Sequence, residues 1–237
     1  MKKKYISVIF LAFIYLASIL SSDQTIKVMK DMFHTDVDKK EERQMVIVID
    51  PGHGGRDPGK VGINNSLEKD INLSIALKLK NLLEQNDIKV IMTREADVGL
   101  YSETDANKKR ADLNKRIEII KASEADLAIS IHQNSFGEEY VKGAQAFYHI
   151  QSKDGKKFAE IIQEQLKKTI DDTNHRKAKS NNNYYMLKFT ECTLVIVECG
   201  YMSNYSESAL LVEEKYQEKL AWGIHLAIIQ FINEKDR

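Results

Sequence analysis

Apolar and polar positions along this chain follow two alternating patterns. Short apolar runs, "MVIVID" (Met45 to Asp50), "DLAISIH" (Asp126 to His132) and "TLVIVE" (Thr193 to Glu198), are rich in valine and isoleucine. Such runs read as strands of a parallel sheet covered on both faces. "IKVIMTR", Ile88 to Arg94, predicts a fourth strand, and "GAQAFYHI", Gly143 to Ile150, a fifth. Between them, apolar residues recur at helical spacing. Ser66 can cap a helix running to about Gln85, with Ile71, Ile75, Leu79, Leu82 and Leu83 on one stripe. Further helices are predicted over Ala111–Ser123, over Lys156–Asp171 with Phe158, Ile161, Ile162, Leu166 and Ile170 inward, and over Tyr216–Glu234. The stripe of that last helix, which carries Trp222, reads as core, and His225 as packed or surface rather than a ligand. Strands alternating with helices imply an α/β layered fold with a central, mostly parallel sheet flanked by helices. Such a sheet gathers its functional groups in the crevice beyond the carboxyl ends of its strands.

The first residues break this pattern. Lys2 to Lys4 precede an apolar run from Ile6 to Leu20, so residues 1–22 read as a signal peptide or an N-terminal membrane anchor. Residues 23–44 are charged and ill-patterned and read as a tether, in which His34 is solvated. The folded domain then spans residues 45–237, and the protein is expected to be exported, either secreted or anchored. Lysine plus arginine and aspartate plus glutamate each total 35, so the net charge is zero and nucleic acid is excluded as an expected partner. Cys192 and Cys199 lie at the two ends of a strand that spans roughly 23 Å at ~3.3 Å per residue, so they are expected to stay unpaired as small buried hydrophobes.

Candidate chemistry collects at the strand ends. His53 follows the first strand within "DPGHGGRDPG", which holds both prolines of the chain, Pro51 and Pro58. Proline and glycine together fix a tight loop beneath an imidazole, although a tight turn with an incidental histidine has the same signature. A phosphate-cradling loop is the weaker reading, because the Gly-Lys-Ser/Thr ending is missing. His132 closes the third strand and Glu198 the last. Glu68 lies in the first turn of the Ser66 helix on its inward stripe, where a carboxylate either favours the helix dipole or meets a cation. Two imidazoles and an inward carboxylate on one edge suit a divalent metal with an open position, the pattern of catalytic zinc. Zinc lowers the pKa of its bound water to about 7, and Glu198 is placed to move the proton.

The motifs "VIVIDPGHGG", "SLEKDINL", "DLAISIHQN" and "VIVECGYMSN" resemble the zinc-dependent N-acetylmuramoyl-L-alanine amidases of the type 3 family, from Met45 nearly to the C-terminus. The resemblance implies a three-layer fold with a sheet of about six strands, with His53, Glu68 and His132 as Zn2+ ligands and Glu198 as the catalytic residue. The implied reaction is hydrolysis of the amide between muramic acid and the first L-alanine of peptidoglycan stem peptides. The cysteine after Glu198, "DINLSIAL", "GAQAFY" and the single bare domain look like the spore-cortex amidases of endospore formers, which prepare muramic lactam for germination. Gln133 replaces the family's usual alanine beside the site, Thr193 a common proline, and "YMSN" the usual "FLSN".

Further expectations concern substrate and partners. Asn134 shares a strand face with His132 and reads either as a substrate or ligand-orienting residue or as a turn residue. Arg176 and Lys179, in the polar segment "NHRKAKSNNNYY", read either as borders of a glycan groove or as a solvated loop. Without a wall-binding repeat or a helix that plugs the site, a separate exported or membrane-bound partner is expected to target or activate the enzyme. The competing functions are a noncatalytic peptidoglycan-binding scaffold and a zinc carboxypeptidase acting on stem peptides.

Overall fold

A computed structural model describes residues 43–235. The leader, most of the tether and His34 lie outside the described residues. The strands are β1 (Val46–Pro51), β2 (Lys89–Met92), β3 (Leu127–Asn134), β4 (Gln145–Tyr148), β5 (Lys179–Ser180) and β6 (Thr193–Tyr201). The helices are α1 (Glu68–Glu84), α2 (Lys108–Ala122), α3 (Lys153–Thr169), α4 (Tyr185–Phe189), α5 (Tyr205–Leu211) and α6 (Glu214–Lys235). The six strands form one sheet in the order β2-β1-β3-β6-β4-β5. All pairings are parallel except that of β4 with β6.

Alternation along the strands divides the core into two layers. Ile47, Ile49, Ile129, Ile131, Val195 and Val197 pack on one face against α1, α3 and α6. Val48, Ala128, Leu194 and Ile196 face the other way, toward Ile120 of α2 and Met186 and Leu187 of α4. The apolar runs were therefore strands covered on both sides, giving the predicted three-layer α/β fold. Full burial of each valine, leucine or isoleucine side chain contributes about 1.5–3 kcal/mol. No helix among the described residues is long and apolar enough to cross a membrane.

Several expectations are corrected. The antiparallel β4 and the two-residue β5 were not anticipated in those forms, and neither were the short helices α4 and α5. Helix α3 begins at Lys153, with Ser152 as its cap accepting from the Gly155 N–H, rather than at Lys156. Ser66 does not cap α1: its hydroxyl donates to Asn64 Oδ1, and Leu67 occupies the cap position without a side-chain bond. Loop carbonyls replace the cap, with the Glu68 N–H donating to Lys60 O and the Lys69 N–H to Pro58 O. Trp222 lies outside the core, 47% exposed and stacked on His225, while Leu220, Ile224, Ile228 and Phe231 supply the buried stripe of α6. His225 is buried, and both cysteines are free.

The order β2-β1-β3 sends the chain from β1 outward to β2 and back across to β3, so a topological switch lies between β1 and β3. The crevice expected at such a point opens beyond their carboxyl ends. The register sets Pro51 beside Ile131 and His132 beside Glu198, so the functional ends of β1, β3 and β6 share one edge.

Candidate metal centre

Two buried arginines fix the loop that carries His53. Arg94 donates to the carbonyls of Pro51 at 3.0 Å and Gly52 at 2.9 Å. Arg116 donates to those of Pro51 at 2.8 Å and His53 at 2.6 Å. Held this way, His53 adopts a left-handed φ of 62°, a conformation that a non-glycine residue keeps only when its surroundings enforce it. Gly52 is required by close approach, since a Cβ there would lie 2.1 Å from Cε1 of His132. Gly59, at φ 68°, leaves room for both His53 and Glu68. The prolines and glycines noted in the sequence thus surround an imidazole whose place is set by long-range arginine contacts.

Three side chains converge at this edge. His53 Nε2 lies 3.2 Å from Glu68 Oε2, and His132 Nδ1 lies 3.0 Å from Glu68 Oε1. One ligand atom from each of His53, Glu68 and His132 falls within 4.8 Å of the others. Glu68 is only 2% exposed and also accepts from the backbone N–H groups of Lys60 and Gln133. Burial by itself would raise its carboxyl, but hydrogen bonds and charge from His132 and His53 outweigh that and hold it well below the usual carboxylate range. Burial likewise opposes charge on His53, yet Asp57 and Glu68 raise its imidazole to about 9. The pull that holds a proton there is the pull that a divalent cation would satisfy instead. Two imidazoles and one carboxylate form the donor set that suits zinc with an open position.

Asp57 completes the arrangement. Its Oδ2 lies 2.8 Å from His53 Nδ1, and its Oδ1 accepts from the Gly59 N–H. Engaging Nδ1 leaves the Nε2 lone pair directed at the common centre, the usual support for a metal-binding histidine. The hydrogen bond from His53 is the main cause of the Asp57 carboxyl's fall to about 2.

Glu198 stands beside His132 on the neighbouring strand and is 7% exposed. Its Oε1 accepts from the Tyr184 hydroxyl at 3.2 Å, whereas its buried Oε2 has no partner. Burial foremost, with the charge of Glu68 assisting, raises this carboxyl. An unpartnered buried carboxylate oxygen costs about 1–3 kcal/mol or more unless something outside the chain meets it.

The remaining sequence-predicted residues are placed as follows. Asn134 Oδ1 accepts from the Ser135 N–H, a turn contact. Arg176 donates to Lys142 O and Gln145 Oε1, with its guanidinium over the Tyr201 ring at 4.6 Å. Lys179 is exposed on β5. Gln133 is 3% exposed and donates to Asn72, so its side chain supports the site from within.

Sequence reasoning missed Asp57, Arg94, Arg116 and Tyr184. Two signals were available: Asp57 lies four residues after His53 in the same loop, and Arg116 sits on the otherwise apolar stripe of Leu113, Ile117 and Ile120. A cation on an inward stripe requires a buried anion, which is Asp50 at the end of β1.

An open α/β sheet with this donor set at its switch point has the layout of a metal-dependent hydrolase. A family model described as N-acetylmuramoyl-L-alanine amidase matches residues 47–230. The germination-specific N-acetylmuramoyl-L-alanine amidase of Bacillus subtilis is 38% identical over 193 residues, covering 80% of this chain and 81% of that protein. The CwlD amidase of Clostridioides difficile, solved in complex with the GerS lipoprotein, is 42% identical with a TM-score of 0.78, covering 80% of this chain and 99% of that one. The amidase AmiC2 of Nostoc punctiforme is 29% identical with a TM-score of 0.70, over 80% and 97% of the two chains. The chain belongs to the N-acetylmuramoyl-L-alanine amidase family, and its activity is that of a peptidoglycan amidase.

Proposed function

We propose that the chain is a zinc-dependent amidase that removes stem peptides from muramic acid in the spore cortex, producing the precursor of muramic lactam. The observation that carries the mechanism is the pairing of the His53, Glu68 and His132 group with the unpartnered Oε2 of Glu198 on the adjacent strand. Zinc, when bound by these three residues, supplies Lewis acidity that makes water a nucleophile near neutral pH and polarises the scissile carbonyl. Asp57 keeps His53 in the ligating tautomer. Tyr184 occupies Glu198 Oε1, so Oε2 is left free to accept a proton from the attacking water. As the C–N bond to L-alanine breaks, Glu198 returns that proton to the departing nitrogen, leaving a carboxylate on the lactyl group and a free amine on the stem. A carboxyl raised by burial serves both halves of this cycle, because its two protonation states lie closer in energy at working pH.

Similarity to the germination-specific and CwlD relatives supports the cortex role. Residues 1–22 serve in this reading as leader or anchor, 23–44 as tether and 45–237 as catalytic domain, so the protein acts outside the cytoplasmic membrane. The relative solved with a lipoprotein supports an exported or membrane-bound partner that targets or activates the enzyme. Asn134 is proposed to hold substrate, and Arg176 and Lys179 to border the glycan groove. Arg176 has the most direct support, lying over Tyr201, three residues beyond Glu198. The test is paired metal content and turnover: Glu198→Ala keeps zinc and loses turnover, and His132→Ala loses both. Equal turnover in the wild type and the Glu198 variant would defeat the mechanism.

A further inference from the structure

The cleft that contains His53 and His132 is a cavity of about 360 Å³ lined also by Arg56, Tyr101, Lys108 and Lys109. Lys108, Lys109 and Arg110 occupy the first turn of α2, which holds no acidic residue. That end of a helix carries positive partial charge, so three consecutive cations there oppose the usual preference. Local partners compensate only part of this charge. Arg110 stacks over the Tyr185 ring at 4.3 Å. Arg56 and Lys108 share one carboxylate, Glu103, at 3.1 and 3.4 Å. Lys109 makes no ion pair among the described residues. The other carboxylates of the cavity are engaged elsewhere: Asp50 and Asp112 with Arg116, and Asp57 with His53. Lys109 lines the same cavity as His53, Asp57 and His132, so its ammonium shares that space with the metal centre.

We infer that this cationic wall is a subsite for a free carboxylate of the stem peptide, with Lys109 as the residue that selects it. The inference rests on the amidase reading. With the scissile amide at the metal centre, a stem that runs along the cavity carries its first side carboxylate on the second residue, the γ-linked D-glutamate. That group meets a wall where three cations face one shared carboxylate. A stem amidated at this carboxylate keeps the amide that is cut and loses the charge that is read.

The test uses the full chain carrying Glu198→Gln, which prevents turnover, and measures binding calorimetrically. The probes are two N-acetylmuramyl tripeptides that differ only in a free α-carboxylate or a carboxamide on the γ-linked second residue. The expected preference for the carboxylate probe is about fivefold, the size of one partly solvated ion pair, and it should shrink as salt rises. Adding Lys109→Ala abolishes the preference, Lys109→Arg retains it, and Lys109→Glu inverts it, while affinity for the carboxamide probe stays the same in the Ala and Arg variants. Equal affinity for both probes, or a preference untouched by Lys109→Ala, overturns the inference and leaves the amidase reading in place. Binding of neither probe contradicts the amidase reading, and this inference with it.

Discussion

Replacing Arg116 by methionine tests how the metal loop is held, because methionine nearly preserves the length and volume of the buried stem while removing the guanidinium. Arg116 is 1% exposed and donates to Asp50 at 2.6 Å, to Asp112 at 2.6 Å and to the carbonyls of Pro51 and His53. Asp50 keeps its hydroxyl donors, Ser130 and Thr93, but loses its counter-charge. Burial pushes the Asp50 carboxyl up, and the charge of Arg116 with those hydrogen bonds outweighs it, lowering the value from 3.8 to about 2. At about 1.4 kcal/mol per pKa unit, this depression is on the order of 2 kcal/mol of stability at neutral pH. Stranding a buried charge by removing its partner costs about 3–5 kcal/mol, and the larger figure is expected here because the His53 carbonyl loses its donor as well, whereas Pro51 keeps Arg94. A carboxyl whose folded pKa is depressed contributes stability above its ordinary value, and that contribution is lost as pH falls through the folded one. The difference between wild type and variant should therefore be full above pH 4 and should narrow toward pH 2. Urea unfolding followed by the fluorescence of Trp222 measures it, and adding Asp50→Asn should restore roughly 2 kcal/mol by removing the stranded charge. A loss below about 1 kcal/mol, or one that is flat in pH, would refute the reasoning.

Three further outcomes follow from the same geometry. Asp57→Asn, which weakens the hold on His53 Nδ1, should lower zinc affinity about 10–100-fold in a chelator competition without unfolding the protein. Gly52→Ala drives a methyl group into the His132 ring and should abolish zinc retention in a metal analysis of the folded variant. Tyr184→Phe keeps the ring packed on Phe147 at 5.5 Å and removes only the hydroxyl. It should reduce kcat roughly tenfold with KM unchanged, the mark of a group that orients Glu198 rather than binds substrate; a change confined to KM would contradict that role.

The parts of the fold legible in sequence are those set by local pattern. Strands β1, β3 and β6 are dominated by apolar residues because both of their faces are covered, and α1 and α6 show inward stripes because α1 packs on the sheet and on α6, and α6 on α1 and α3. The two-residue β5 and the short helices α4 and α5 are too brief to generate periodicity. The direction of β4 depends on its pairing partner, which the local pattern does not encode. The same division holds in the site. His53, His132 and Glu198 could be brought together from their positions at strand ends, and Glu68 from its helical face. Arg94 and Tyr184 escaped because their roles are contacts with residues distant in the chain, Gly52 and Glu198. Ser66 misled because loop carbonyls, invisible in the local sequence, already occupied the donors it would have capped.

The most direct measurement is mass spectrometry of cortex-type muropeptides incubated with the full chain, with zinc present and with zinc removed by chelation. Zinc-dependent release of intact stem peptides whose new amino terminus is L-alanine is the expected result. A zinc-loaded protein that releases no stem, or one that frees an amine elsewhere in the peptide, would contradict it.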